Sequence, residues 1–194
     1  MNYCQNCYFA FEGDVARCPL CGAKSLRPIE DDDFCLLTET SANEGRVLTE
    51  LMENENIDCS SIPYGSGVES QFALSLSGCR IYVPYKMLDK AKAVIKAREE
   101  FETELLRDNI SENISKLHIL PKTEKRILKK FGFKTTEEII EYCANIVKTA
   151  DYIVDRGGCA GSVEHYIYCY ADNALLTINS MTYEILELRI KEAK

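Results

Sequence analysis

The chain has 194 residues, 46% apolar and 28% charged, with a net charge of -8; that length allows more than one module, and that composition argues against wholesale disorder. The charge is uneven: residues 30–115 carry 8 basic and 18 acidic side chains, a net -10, whereas residues 1–29 and 116–194 each carry +1. A polyphosphate is repelled by such a middle, so nucleic acid can touch only the ends.

Met1-Asn2-Tyr3-Cys4 opens no export signal, and no segment approaches 18 uninterrupted apolar residues. Both observations predict a cytoplasmic protein with no membrane span. In that compartment ten cysteines are better read as metal ligands plus buried thiols than as a disulfide framework.

Four of the cysteines open the chain. Cys4-Gln5-Asn6-Cys7 and Cys18-Pro19-Leu20-Cys21-Gly22 form two C-x2-C knuckles ten residues apart. A two-residue spacer aims both sulfurs of a knuckle at one ion, and four soft thiolates in a tetrahedron favour zinc. Gly22 suits the tight turn after the last ligand, since it tolerates positive φ. Tyr8-Phe9-Ala10-Phe11 and Val15-Ala16-Arg17 flank Glu12-Gly13-Asp14 and predict a hairpin between the knuckles. With Cys4, Cys7, Cys18 and Cys21 at every ligand position, the segment resembles the zinc ribbons at the N-termini of many bacterial proteins. A four-cysteine site leaves no open position for a water nucleophile, so the reading is structural zinc; iron or a redox switch are the alternatives.

Glu30-Asp31-Asp32-Asp33 is read as a solvated linker. Phe34-Cys35-Leu36-Leu37 follows as a buried strand, and Ser41-Ala42-Asn43-Glu44 has capping-box spacing ahead of a helix presenting Val47, Leu48, Leu51 and Met52. Ile57 to Ile62 predicts a second strand. Phe72, Leu74 and Leu76, then Cys79, Ile81 and Val83, alternate as a hairpin about Ser77-Gly78. Met87, Leu88, Ala91, Val94, Ile95, Phe101 and Leu105 mark the apolar side of a second helix.

This order predicts an α+β sandwich with two helices on one face of a ferredoxin-like sheet. Leu37-Thr38, Asn43-Glu44-Gly45, Leu51 with Glu53, Asn56-Ile57, and Ile81-Tyr82-Val83-Pro84 followed by Ala91 and Ile95 resemble a prokaryotic signal-transducing protein family. That family is a domain of unknown function similar in fold to nitrogen-regulatory PII-type proteins. The resemblance implies a regulatory or protein-interaction module of bacterial type and transfers no ligand residues. Tyr64-Gly65-Ser66-Gly67-Val68 lacks the spacing and the lysine of a phosphate loop and is read as a plain turn.

From Pro121 the periodicity is helical. Ile127, Leu128 and Phe131 precede Gly132, placed to end a helix; Thr135 and Glu138 open another through Ile139, Ile140, Cys143, Ile146, Val147, Ala150 and Ile153. Gly157-Gly158-Cys159-Ala160-Gly161 interrupts the pattern. Shorter helices are then expected around Val163 to Tyr170 and through Leu175, Ile178, Met181, Ile185 and Leu188. Residues 116–134 carry Lys116, Lys122, Lys125, Arg126, Lys129, Lys130 and Lys134 against Glu124 alone. The patch reads first as a solvated face, or one that docks on the acidic middle of the same or a neighbouring chain, and second as a phosphate grip.

Only two histidines are present, His118 and His165, and Cys159 with His165 matches no known nucleophile–base arrangement. The run Glu99, Glu100, Glu102 and Glu104 falls on the outer side of its helix, where carboxylates are solvated. The sequence therefore predicts three parts: a zinc ribbon over 1–29, a ferredoxin-like, PII-like domain over 30–110 and a helical subdomain over 111–194. The expected function is that of a non-catalytic, zinc-binding regulatory or adaptor protein of signal-transducing type, acting through contact with a protein partner or through small-ligand sensing, with self-association left open and nucleic acid disfavoured. The alternative is a nucleic-acid-associated factor using the ribbon and the 116–134 patch.

Overall fold

The first strand, β1 (Asn2–Cys4), is too short to stand alone and is held from both sides by β2 (Ala10–Phe11) and β3 (Leu26–Pro28), both antiparallel to it. In this computed structural model, which describes residues 1–64, 78–157 and 165–191, the expected hairpin between the knuckles is replaced. The first knuckle is itself the turn joining β1 to β2, because the register Tyr3 to Ala10 leaves Cys4 as the last residue of β1 and Cys7 in the connection. The chain divides into two units, Met1–Ala97 and Arg98–Lys194.

After the ribbon, the first unit runs β4 (Phe34–Ser41), α1 (Ala42–Asn54), β5 (Ser60–Tyr64), β6 (Gly78–Pro84) and the start of α2 (Tyr85–Glu112). Its three-stranded sheet is antiparallel in the order β4-β6-β5, so the strands flanking α1 both pair with β6. The Ser41 hydroxyl accepts from the Glu44 N–H at 3.2 Å and caps α1 as the capping-box spacing predicts. Along β6 the side chains alternate. Cys79, Ile81 and Val83 join cores with Leu48 and Met52 of α1 and with Leu88 and Ala91 of α2, leaving Arg80 and Tyr82 for the opposite face. At Gly45 a Cβ would lie 2.8 Å from the Cys79 side chain, so only glycine lets α1 approach β6 this closely.

A ferredoxin-like sheet carries a fourth strand beside its first. Among the described residues the neighbour on that side of β4 is the ribbon, where the Tyr8 carbonyl accepts from the Leu36 N–H at 2.9 Å. The expected strand through Phe72, Leu74 and Leu76, the Gly65-Ser66-Gly67 loop and Cys159 lie outside the described residues. The acidic run at 30–33 is not simply a solvated linker. The Asp31 and Asp33 carbonyls accept from the Lys86 and Tyr85 N–H groups, which satisfies orphan donors at the start of α2. Asp33 also pairs with Arg27, which holds its carboxyl below the usual range.

The second unit corrects the expectation of a purely helical end. It begins with the C-terminal part of α2 and continues through a short 3-10 turn (Ile114–Lys116), α3 (Pro121–Phe131) and α4 (Thr136–Thr149). A four-stranded antiparallel meander follows: β7 (Tyr152–Gly157), β8 (His165–Ala171), β9 (Ala174–Asn179) and β10 (Ile185–Ile190). The spacing of Leu175, Ile178, Ile185 and Leu188 suits a helix. However, Tyr166-Ile167-Tyr168-Cys169-Tyr170 is aromatic and alternating, and Ala171 pairs with Ala174 across a two-residue turn, so strand propensity and hairpin chemistry win. Ile153 lies in β7 rather than α4, and Met181 is an exposed turn residue.

The expected helix features of α3 and α4 are present. Gly132 ends α3 at φ 76°, and the Thr135 hydroxyl accepts from the Glu138 N–H while the Glu138 carboxylate accepts from the Lys134 N–H. Ile127, Ile139, Cys143, Ile146 and Val147 pack with Ile153, Ile167, Cys169, Leu176, Ile178 and Ile185 into one core. Phe101 and Leu105, expected on the buried side of α2, are 66% and 60% exposed.

Candidate metal centre

Each knuckle repeats one backbone pattern. The Cys4 N–H donates to the Phe9 carbonyl at 3.0 Å and the Tyr8 N–H to the Cys4 carbonyl at 2.8 Å. At the same offsets, the Cys18 N–H donates to the Ala23 carbonyl at 2.8 Å and the Gly22 N–H to the Cys18 carbonyl at 2.9 Å. The turn residue after each pair has positive φ, 61° at Tyr8 and 73° at Gly22. The sequence flagged Gly22; Tyr8 occupies the equivalent position although a side chain there costs about 1–2 kcal/mol.

The two knuckles bring their sulfurs together. Cys4 Sγ lies 3.6 Å from Cys21 Sγ, and Cys7 Sγ lies 3.6 Å from Cys18 Sγ. All four atoms fall within 4.8 Å of one another. Tetrahedral zinc with Zn–S bonds of about 2.3 Å separates its sulfurs by about 3.8 Å, so the arrangement is compatible with one zinc ion and far too open for S–S bonds of about 2.05 Å. All four are free thiols. Cys4 and Cys18 are buried, Cys7 is half-buried and Cys21 is exposed.

Cys7 and Cys21 do not ionise independently. Desolvation, then the neighbouring Cys21 sulfur, pushes the Cys7 thiol well above its ordinary value. Hydrogen bonding from the Ala23 backbone, then from the Asn6 side chain, pulls Cys21 down to about 6. Asn6 Nδ2 lies 3.5 Å from Cys21 Sγ, and the Leu20 N–H reaches Cys18 Sγ at 3.4 Å. Such donors, like a bound dication, favour thiolate ligands.

Beside the centre the structure brings together residues that the sequence did not single out as a group. Asn6, Cys7, Tyr8, Leu20 and Cys21 of the ribbon, with Leu36, Glu39, Arg80 and Tyr82 of the sheet, line a groove of about 410 Å³. Tyr8 meets Tyr82 edge-on at 5.6 Å, while Arg80 donates to Glu39 at 2.7 Å and lies over the Tyr64 ring. The one signal for this groove was Arg80, a charged residue amid the apolar strand Cys79 to Val83.

The other candidate chemistry disperses. His118 is exposed beside the Lys116 carbonyl, and His165 sits 3.4 Å from Asp155 on the strand pair β7–β8. Glu102 pairs with Arg98 one helical turn away. Burial pushes the thiols of Cys143 and Cys169 up to about 12, as expected of small hydrophobes in a core. The basic cluster holds together: Lys122, Lys125, Arg126, Lys129 and Lys130 all lie exposed on α3, with Lys116 and Lys134 at its ends. No helix among the described residues is long and apolar enough to cross a membrane.

No protein-family model matches the chain, and neither the curated proteins nor the solved structures contain a detectable relative. The four-cysteine centre therefore rests on its own geometry.

Proposed function

We propose that the protein is a non-catalytic, zinc-held regulatory or adaptor module acting by protein–protein contact. The observation that carries this reading is the convergence of Cys4, Cys7, Cys18 and Cys21 within 4.8 Å. A four-thiolate centre is coordinatively closed, so its metal stabilises a surface in place of activating water. The groove beside it mixes two tyrosines, an arginine–glutamate pair and two leucines, a composition suited to gripping a partner's side chain. The resemblance of Asn43-Glu44-Gly45 and Ile81-Tyr82-Val83-Pro84 to the prokaryotic signal-transducing family supports a regulatory role and a ferredoxin-like, PII-like origin for the sheet. The strand order β4-β6-β5 suits that origin.

The test is metal analysis of the full chain purified without added metal. About one equivalent of zinc is expected in the wild type and under half in Cys4→Ser. Less than half an equivalent in the wild type would remove the metal from the reading. Capture of one stoichiometric protein by the wild type, lost on Tyr82→Ala or Arg80→Ala, is the result expected of the groove; capture indifferent to both sinks it.

A second reading, a nucleic-acid-associated factor, is favoured by the exposed cations of α3. It predicts binding to DNA or RNA that weakens steeply with salt.

A further inference from the structure

Two faces of the second unit are exposed and opposite in character. On α2, Phe101 and Leu105 stand 66% and 60% exposed. At 3.6 residues per turn they share an arc of about 100° with Glu104, Asp108 and Glu112, while Thr103 and Ile110 on the other side are buried. On α3, Lys125, Lys129, Lys122, Arg126 and Lys130 occupy an arc of about 140°, opposite the buried Ile127 and the half-buried Phe131. Arg126 donates to the Leu186 carbonyl and Lys130 lies over the Phe131 ring. Among the described residues no ion pair joins any of these five cations, or Glu104, Asp108 or Glu112, to a carboxylate or a cation.

We infer that the occupant of both faces is a second copy of this chain, with α2 of each protomer on α3 of its partner about a twofold axis. Both faces are exposed within one unit, so they do not satisfy each other in a single chain. A twofold arrangement uses each contact twice and closes. The chemistry is complementary at both levels. Lysine and arginine stems lie across Phe101 and Leu105 while their charged heads reach Glu104, Asp108 and Glu112. A phosphate polymer would satisfy α3 alone. It would leave Phe101 and Leu105 in water and would meet a chain of net charge -8. This inference goes beyond the proposed function and does not require the metal.

The experiment is sedimentation equilibrium of the full chain across a concentration series, at low and at high salt. A dimer is expected at low salt, weakening at high salt as screening shortens the reach of the charges. Lys122→Glu/Lys125→Glu/Lys129→Glu takes the α3 face from +5 to -1, and Glu104→Lys/Asp108→Lys takes the α2 face from -3 to +1. All five positions are exposed, so circular dichroism melts should match the wild type. Each variant alone should associate at least about tenfold more weakly. An equimolar mixture of the two should recover a 1:1 dimer, because both contacts are again opposite in charge. Phe101→Ser, which changes no charge, should weaken association at both salt levels. A wild type that stays monomeric throughout the low-salt series overturns the inference. So does a mixture that fails to pair, or self-association untouched by the α3 reversal when binding of a labelled DNA or RNA is lost.

Discussion

Thr103 shows how much one hydroxyl can hold. It is 4% exposed on α2, and its Oγ1 both donates to the Ile153 carbonyl and accepts from the Ile153 N–H, joining the helix to the first strand of the second sheet. Replacing it with valine keeps the shape and strands both backbone groups. We expect Thr103→Val to lower stability by about 1–3 kcal/mol in chemical denaturation, with Thr103→Ser recovering most of the loss. Tyr3 sets a pH limit of its own. It is buried, it donates to the Phe34 carbonyl, and burial, with Asp33 beside it, pushes its phenol from 10.0 up to about 12. The folded state therefore holds this proton more tightly than the unfolded state. The resulting stabilisation is complete below the unfolded value and drains away as pH rises toward the folded one. Melting of the wild type should fall more steeply over that interval than melting of Tyr3→Phe; parallel curves would show that the phenol is not linked to folding. Neither role was legible in the sequence, since Thr103 acts on a residue fifty positions away and Tyr3 on one thirty-one away.

Among the elements, those with a chemical punctuation mark were the readable ones. Ser41 and Thr135 cap their helices, Gly132 turns left-handed after α3, and the two C-x2-C pairs fold as knuckles, because each signal acts within a few residues of itself. Thr135→Ala should cost about 1 kcal/mol, read as a lowered denaturation midpoint, with Thr135→Ser near wild type. The C-terminal sheet is hidden in the sequence because Leu175, Ile178, Ile185 and Leu188 fit a helical period by coincidence. Strands are marked instead by the alternating tyrosines of β8 and the tight Asp172-Asn173 turn, a short-range signal that carries little weight until a neighbouring strand is in place. The exposure of Phe101 and Leu105 is hidden for a related reason. Periodicity finds an apolar stripe on α2 but cannot say whether the same chain covers it.

For the whole molecule, the ribbon and the second unit rest on different kinds of cohesion, while the sheet of the first unit has apolar cores of its own. Arg98–Lys194 has a continuous apolar core of its own, from Ile110 through Leu188. The ribbon has only Cys4, Phe11 and Cys18 buried around the sulfur cluster, with a few half-buried neighbours. Chelation should therefore act locally. Amide exchange protection over Asn2–Pro28 is expected to collapse on metal removal while the protected amides of β8 and β9 stay unchanged. Simultaneous loss of both would show that the second unit depends on the metal. The four-cysteine centre was legible because its ligand spacing is local; the groove was not, because Tyr8, Glu39 and Arg80 meet only after the ribbon and sheet have assembled.

The carbonyl of Tyr8, held outward by its left-handed turn, receives the N–H of Leu36. On a ribosome the knuckles emerge before β4 does. A loaded ribbon would present a fixed acceptor to the first strand of the sheet as that strand arrives, setting its register while β6 is still unsynthesised. Exchanging Tyr8 for glycine would relax the turn, yet it would strip the ring that rests on Tyr82, giving up a guide in vectorial synthesis for a gentler bend.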